Sequence, residues 1–339
     1  MRPRLPSWFR RPLPPGAEAG RVKRLLGRHG LHTVCEGAKC PNRAACWHEG
    51  AAAFLILGDA CTRDCRFCAI PHDARPAPPD PAEPAQLAEA AAAMGLRHVV
   101  VTSVTRDDLL DGGAGHFAAV VRAVRARLPG ATVEVLVPDF QGEPVAIDAV
   151  LAAKPDIFNH NLETVERLQP SVRPQADYRR SLAVLRRAAQ AGARTKSGLM
   201  LGLGETDAEL RAALRDLRAA DVALLTLGQY LAPSAAHWPV ARFVPPAEFD
   251  RWRDETLALG FACVASAPHV RSSYHAEELA AAPRPDGRDG ARPSRNPSER
   301  FDGRDGGTTS VSSDRVSQAT PLPTHHFNIP SFHSSPVSP

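Results

Sequence analysis

Apolar residues between positions 53 and 260 recur in two rhythms. Short runs, AFLILG (53–58), HVVVTSV (98–104), TVEVLV (132–137), DIFNHN (156–161), TKSGLML (195–201) and ALLTLGQ (223–229), read as strands. Between them lie helical stretches near 84–94, 115–128, 143–153, 177–191 and 206–219. In the fourth of these, Leu182, Leu185 and Ala189 fall at helical spacing. Strand and helix alternating in this way predict βα units around a parallel sheet. Six units predict an α/β fold, a partial (β/α)6 barrel whose active site is built from loops at the C-terminal ends of the strands. A further helix near 246–259 precedes FACVASAPHVRSSYHAEE, which is expected to return the chain to the barrel.

The rhythm stops at both ends. Residues 1–50 read as an N-terminal extension, 51–282 as the barrel with its closing segment, and 283–339 as a tail. The tail is rich in Pro, Gly, Ser, Arg and Asp and repeats DGRDG, so it buries too little to offset its ordering entropy and is expected to be disordered. Its THH and His333 are read as solvated. With 41 basic and 37 acidic residues, a net charge of +4, the chain is too balanced for a nucleic-acid binder. No run of eighteen apolar residues suggests a membrane span. The start, MRPRLPSWFRRPLPPG, lacks the apolar stretch of a secretory signal, and its five prolines oppose an amphipathic transit helix. A cytoplasmic location is expected. There, clustered thiols point to metal or catalysis rather than disulfides.

Six of the seven cysteines fall within residues 35–68, in two groups of three. Cys61, Cys65 and Cys68 have C-x3-C-x2-C spacing on the loop after the first predicted strand. Three thiolates so spaced can hold three irons of a cubane cluster and leave the fourth open to a substrate or cofactor. The competing reading is a zinc ion with His72 as fourth ligand, although zinc motifs normally come as two pairs. A redox C-x2-C would leave the third cysteine superfluous. Cys35, Cys40 and Cys46 have C-x4-C-x5-C spacing, with Pro41 and Asn42 after the second and Trp47 after the third.

The second trio, with Phe67 before its last cysteine, resembles that of radical S-adenosylmethionine enzymes. The two trios together resemble the lipoyl synthase family. HTVCEGAKCPN, TSVTRDDLLDGGAGHF, VLVPDFQG, FNHNLETV, TKSGLMLGLGET, LTLGQYLAPS and VRSSYHAEE resemble that family's segments in its order, from about residue 3 to residue 279. The resemblance implies a four-iron four-sulfur cluster on Cys61, Cys65 and Cys68 that binds and reductively cleaves S-adenosylmethionine, giving a 5′-deoxyadenosyl radical. It implies a second, auxiliary four-iron four-sulfur cluster on Cys35, Cys40 and Cys46, which gives up sulfur to carbons 6 and 8 of a protein-bound octanoyl chain. Ser273 of RSSY, rather than its neighbour Ser272, is by resemblance the ligand of that cluster's fourth iron. The structural alternative is that these serines cap the helix in YHAEELA. Implied partners are octanoylated carrier domains (2-oxoacid dehydrogenase acyltransferase subunits and the glycine cleavage H protein), a ferredoxin or flavodoxin type reductant, and an iron–sulfur carrier that replenishes the consumed cluster. Neither nucleic acid nor membrane is an expected partner. Another two-cluster radical sulfur-inserting or methylthio-transferring enzyme, or a metal carrier, would share some of these features.

Other residues are weighed by position. Thr102, Ser103 and Asp107 lie where radical enzymes commonly bind the methionine amino group, and Asn159, Asn161 and Glu163 face an expected ribose site; each could instead be a strand-end cap. Gly202 and Gly204 of LGLGE are expected to allow close backbone approach to the adenosyl group, a G-x-G alone being a weak phosphate signal. Arg173 and Lys196 either face carboxylates or are surface charges. Cys263 reads as a buried small hydrophobe, and Asp111–Gly113 as a turn that is as readily structural as catalytic. Two positions depart from the family: Gly37, where an acidic or larger residue is usual, and Ala267, where glycine is usual.

Overall fold

The computed structural model describes residues 4–12 and 14–281; the tail read as disordered lies outside them. One sheet of eight strands follows chain order: β1 (His32–Thr33), β2 (Ala53–Ile56), β3 (His98–Ser103), β4 (Thr132–Leu136), β5 (Ile157–Asn159), β6 (Thr195–Leu201), β7 (Leu224–Gln229) and β8 (Cys263–Ala267). β1 is antiparallel to β2, and every later pairing is parallel. All six expected strands are present, each within two residues of its expected bounds. So are the helices, at Glu83–Ala93, Ala114–Arg127, Pro144–Ala152, Tyr178–Gln190, Asp207–Ala219 and Pro246–Ala258. Two strands are additions. FACVAS supplies a seventh parallel strand, β8, and β1 lengthens the opposite edge. Among the described residues β8 does not pair with β1, so the barrel is open.

Every residue of β2 and of β7 is buried, as expected of strands covered on both faces. The helices form the outer layer. Tyr178–Gln190 turns Ser181, Leu182, Val184, Leu185 and Ala188 inward; Ala189 is partly exposed, because the helical repeat places the next inward position three residues after Leu185. Asp177 caps this helix, and Thr206 with Glu209 forms a capping box on Asp207–Ala219. Cys263 is buried with Ile157, Leu224 and Leu279, as its apolar surroundings suggested. None of the described helices is long and apolar enough to cross a membrane.

The segment after β8 doubles back along the lumen. Val270 presses its carbonyl against Gly228 of β7 where a Cβ would stand, and the Ser272 hydroxyl lies 3.0 Å from the Cβ position of Gly198 in β6. Farther along, Ser273 and Tyr274 share a cavity with Ala53 and His98, the first residues of β2 and β3. The chain therefore descends from the C-terminal rim toward the N-terminal ends of the strands. Glycines inside two adjacent strands make room for it. The N-terminal region fastens the same segment from outside: Phe9 packs edge-on against Phe243 and His269 at 5.7 and 5.4 Å, Arg11 donates to the Tyr274 hydroxyl at 3.1 Å, and Asn42 Nδ2 donates to the His269 carbonyl at 2.7 Å.

Candidate active site

At the C-terminal rim, the loop after β2 is closed by a ladder-like bridge. The Cys61 N–H donates to the Pro71 carbonyl and the Asp73 N–H to the Cys61 carbonyl, both at 2.9 Å, so Cys61, Cys65 and Cys68 share one small turn. Cys61 Sγ accepts from the backbone N–H of Arg63 at 3.4 Å and of Thr105 at 3.3 Å. Burial, assisted by the neighbouring thiols, pushes the Cys65 thiol up and that of Cys68 to about 12. N–H donors aimed at sulfur, thiols that a cationic group would have to ionise, and Arg173 favouring the Cys65 thiolate all suit an iron–sulfur cluster. His72 is exposed, and among the described residues no three His, Cys, Asp or Glu side chains converge as ligands of one metal ion.

A buried charge network, not anticipated from the sequence, holds this loop. Arg63, inside the trio, bonds both oxygens of Asp107 at 2.6 and 2.8 Å and Asp139 Oδ1 at 2.7 Å; Arg180 binds the other Asp139 oxygen at 2.8 Å. Burial opposes ionisation of Asp139, but the bond to Arg63 and its charge outweigh this and leave the carboxyl well below its ordinary range. Asp107 is thus committed to Arg63 rather than presented to a ligand's amino group.

The remaining rim positions separate into used and unused groups. Thr102 donates to the Leu136 carbonyl at 3.0 Å and so tethers β3 to β4, whereas the buried Ser103 hydroxyl has no hydrogen-bond partner. Asn159 turns into the lumen and donates to Glu134 at 3.0 Å. Asn161 donates to Glu163 at 3.1 Å and accepts from the Ser272 hydroxyl at 2.9 Å. Glu163 sits at φ +68°, is raised by burial, and lies close enough to Cys65 and Cys68 to raise both thiols. Ser103 is thus unpartnered, Asn161 and Glu163 are paired with each other, and the Thr102 and Asn159 side chains also tie neighbouring strands together. The glycines of LGLGE are occupied as well: Glu205 accepts from the N–H groups of Gly202, Leu203 and Gly204 at 2.6, 2.9 and 3.0 Å, and the groups crowding Gly202 are the Gln229 amide and the Arg242 carbonyl. The close approach there is by protein. Asp111 caps the following helix through Gly113 and Gly115, a structural turn.

The first trio lies across the open seam of the barrel. Cys35 is the second residue of the short helix Val34–Gly37 and Cys46 lies in Arg43–His48; the Cys40 N–H returns to the Cys35 carbonyl at 3.1 Å. Burial, with smaller contributions from the neighbouring Cys35 and Cys40 thiols, raises the Cys46 thiol to about 12. Cys35 and Cys46 line one cavity with Ser273. Ser272 is instead engaged with Asn161. Neither serine caps the last described helix, Ala276–Ala280: its N-cap is His275, with no side-chain cap bond. Gly37 has its own explanation, since a Cβ there would sit 2.5 Å from the Ile70 side chain. Three thiols and one uncommitted hydroxyl form a donor set suited to a second cluster.

Lys196 and Arg173 are not surface charges. Arg173 is buried and donates to the carbonyls of Asn161 and Leu162, both at 3.3 Å. Lys196 is fully buried, bonding the two Glu134 oxygens at 2.8 and 3.1 Å and the Ser272 carbonyl at 2.7 Å.

Residues 55–217 match the Radical SAM superfamily. A lipoyl synthase of Methylococcus capsulatus is 59% identical over 281 residues, covering 82% of this chain and 87% of its own. Those of Nitrosococcus oceani and Chlorobaculum parvum are 55% and 54% identical, covering 83% and 80% of this chain and 87% and 94% of theirs.

Proposed function

The chain belongs to the lipoyl synthase family of the radical S-adenosylmethionine superfamily, and from that premise we propose that it converts a protein-bound octanoyl-lysine into lipoyl-lysine by placing sulfur on carbons 6 and 8. Membership makes it a radical S-adenosylmethionine sulfurtransferase using a four-iron four-sulfur cluster. Cys61, Cys65 and Cys68 would hold that cluster; Cys35, Cys40, Cys46 and Ser273 would hold an auxiliary one. When bound, the first cluster with S-adenosylmethionine supplies a radical able to take hydrogen from an unactivated carbon, and the second supplies sulfur that is consumed.

The observation that carries this reading is the pairing of two donor sets across the lumen. One lies on the loop after the last residue of β2; the other shares a cavity with its first residue, Ala53, and with Ser273. Four residues of extended strand, about 10 Å of chain, separate those ends. The chain's own residues then divide the work. Ser103, Asn161 and Glu163 would bind and orient S-adenosylmethionine beside the rim trio, Arg63 with Asp107 and Asp139 fixes the loop that carries it, and the segment from Pro268 to Tyr274 excludes water from the lumen between the sites. The carriers would be octanoylated domains of 2-oxoacid dehydrogenase acyltransferase subunits and of the glycine cleavage H protein. Consumption of electrons and sulfur calls for a ferredoxin or flavodoxin type reductant and an iron–sulfur carrier, and the cytoplasm is the proposed compartment.

The test is an anaerobic reaction of reconstituted protein with an octanoyl-lysine peptide, S-adenosylmethionine and dithionite. A peptide gaining two sulfur atoms, with two molecules of 5′-deoxyadenosine per product, is the expected result. Cleavage without sulfur gain in protein carrying both clusters would reject the reading. For the ligand assignment, Ser273→Ala should change the Mössbauer parameters of the auxiliary iron, whereas Ser272→Ala should not; the reverse would move the ligand by one residue.

A further inference from the structure

Lys196 and Glu134 form an ion pair of two side chains with no exposed surface. Glu134 is also approached by Asn159 at 3.0 Å and His98 at 3.3 Å. Burial opposes its charge, but Lys196, the largest of the opposing influences, and His98 leave its pKa below the ordinary value. A buried pair of this kind is weak as a stabilising device, since well-packed apolar residues of similar volume commonly do as well. What apolar residues could not replace is the third contact of the ammonium: Lys196 Nζ donates to the carbonyl of Ser272 at 2.7 Å. That carbonyl opens the peptide unit leading into Ser273.

We propose that Lys196 is a positioning residue for the auxiliary site: its ammonium, neutralised by Glu134, grips the Ser272 carbonyl and so fixes the backbone from which Ser273 presents its hydroxyl to the cavity shared with Cys35 and Cys46. The proposal rests on the reading of Ser273 as a cluster ligand. Geometry on three sides supports it. Gly198, two residues along the same strand, leaves space for the Ser272 hydroxyl, and that hydroxyl is turned away to Asn161 Oδ1. Asn42 Nδ2, two residues after Cys40, grips the His269 carbonyl at the other end of the segment. The segment is thus anchored before and at Ser272, leaving Ser273 little freedom to leave the cavity.

The test uses full-length protein in which Cys61, Cys65 and Cys68 are alanine, so that only the auxiliary donor set remains, loaded anaerobically and challenged with an iron chelator. Lys196→Met is combined with Glu134→Gln, so that neither buried charge is left unpaired. Iron release about tenfold faster than in the parent is expected in this pair variant and also in Ser273→Ala, the size of effect expected when one charge-assisted hydrogen bond is lost. Adding Ser273→Ala to the pair variant should bring no further acceleration, because both act through one ligand. Parent-like release in the pair variant, with fast release in Ser273→Ala, overturns the role of Lys196 and leaves the ligand reading intact. Parent-like release in Ser273→Ala overturns the ligand reading itself. Multiplying effects would mean that Lys196 serves the core at large. Hydrogen exchange on the iron-free proteins provides an independent readout: acceleration confined to residues 268–276 supports the proposal, and acceleration spread through β4, β5 and β6 overturns it.

Discussion

Replacing Arg63 by methionine removes the tie between the rim cysteine loop and two neighbouring loops. The side chain is 4% exposed and makes three charge-assisted bonds, two to Asp107 and one to Asp139. Asp139 has no exposed side-chain surface and would keep Arg180, whereas Asp107, 28% exposed, would recover part of its hydration. Removing one partner of a buried charge pair costs about 3–5 kcal/mol, most of it from the charge left behind. Arg63→Met should therefore lose about that much in urea unfolding and should cleave S-adenosylmethionine poorly, because Cys61 and Cys65 flank the lost anchor. Arg63→Lys keeps the charge but cannot form the two-pronged contact, and should lose roughly half as much. Adding Asp107→Asn to Arg63→Met should restore part of the stability by removing the stranded carboxylate. Unfolding of Arg63→Met within about 1 kcal/mol of the parent, with full 5′-deoxyadenosine yield, would refute the reasoning.

Alanine at Cys61, Cys65 and Cys68 should abolish S-adenosylmethionine cleavage, and near-normal 5′-deoxyadenosine from that variant would remove the cluster assignment. Alanine at Cys35, Cys40 and Cys46 should leave cleavage measurable and eliminate sulfur insertion, so any lipoyl peptide formed would contradict the sulfur-donor role. Acid should expose His160, whose pKa burial and the nearby Arg173 push down from the ordinary 6.5 to about 4, and whose Nδ1–H donates to the Val137 carbonyl at 2.8 Å. A depressed folded-state pKa gives a contribution that is complete above pH 6.5 and is lost as the pH falls toward 4, by about 2 kcal/mol between pH 6.5 and 5. His160→Asn, which does not titrate, should lose correspondingly less stability in urea over that interval; equal losses would contradict the buried neutral imidazole.

Much of the barrel was legible because strands covered on both faces are written as apolar runs, and the crossovers between them as helical repeats. β1, two residues long, leaves no run to find, and β8, CVASA, is made of small residues whose apolar signal is faint. The cysteine trios were legible for a different reason: each is a local spacing within one loop or short helical region. Arg63, Glu134 and Lys196 were not, since a charge within a chain says nothing about a partner far away in sequence. Lys196 and Glu134 are 62 residues apart. Their signal was present, though, as a single charge inside each of two otherwise uncharged strands, TVEVL and TKSGLML, of opposite sign. An unpaired charge cannot persist in such a place, so each strand required the other.

The same logic connects the glycines to the site. A glycine weakens a strand unless another backbone must come close, and Gly198 and Gly228 lie in β6 and β7, side by side in the sheet, against Ser272 and Val270. A closed barrel would have no seam through which a segment could return and would fill its lumen with side chains. Leaving β8 unpaired with β1 gives the chain an edge from which Pro268–Tyr274 can turn inward, and places residues 35–46 along the gap opposite it. The open sheet is therefore what brings Ser273, from the last strand's extension, together with cysteines that precede β2.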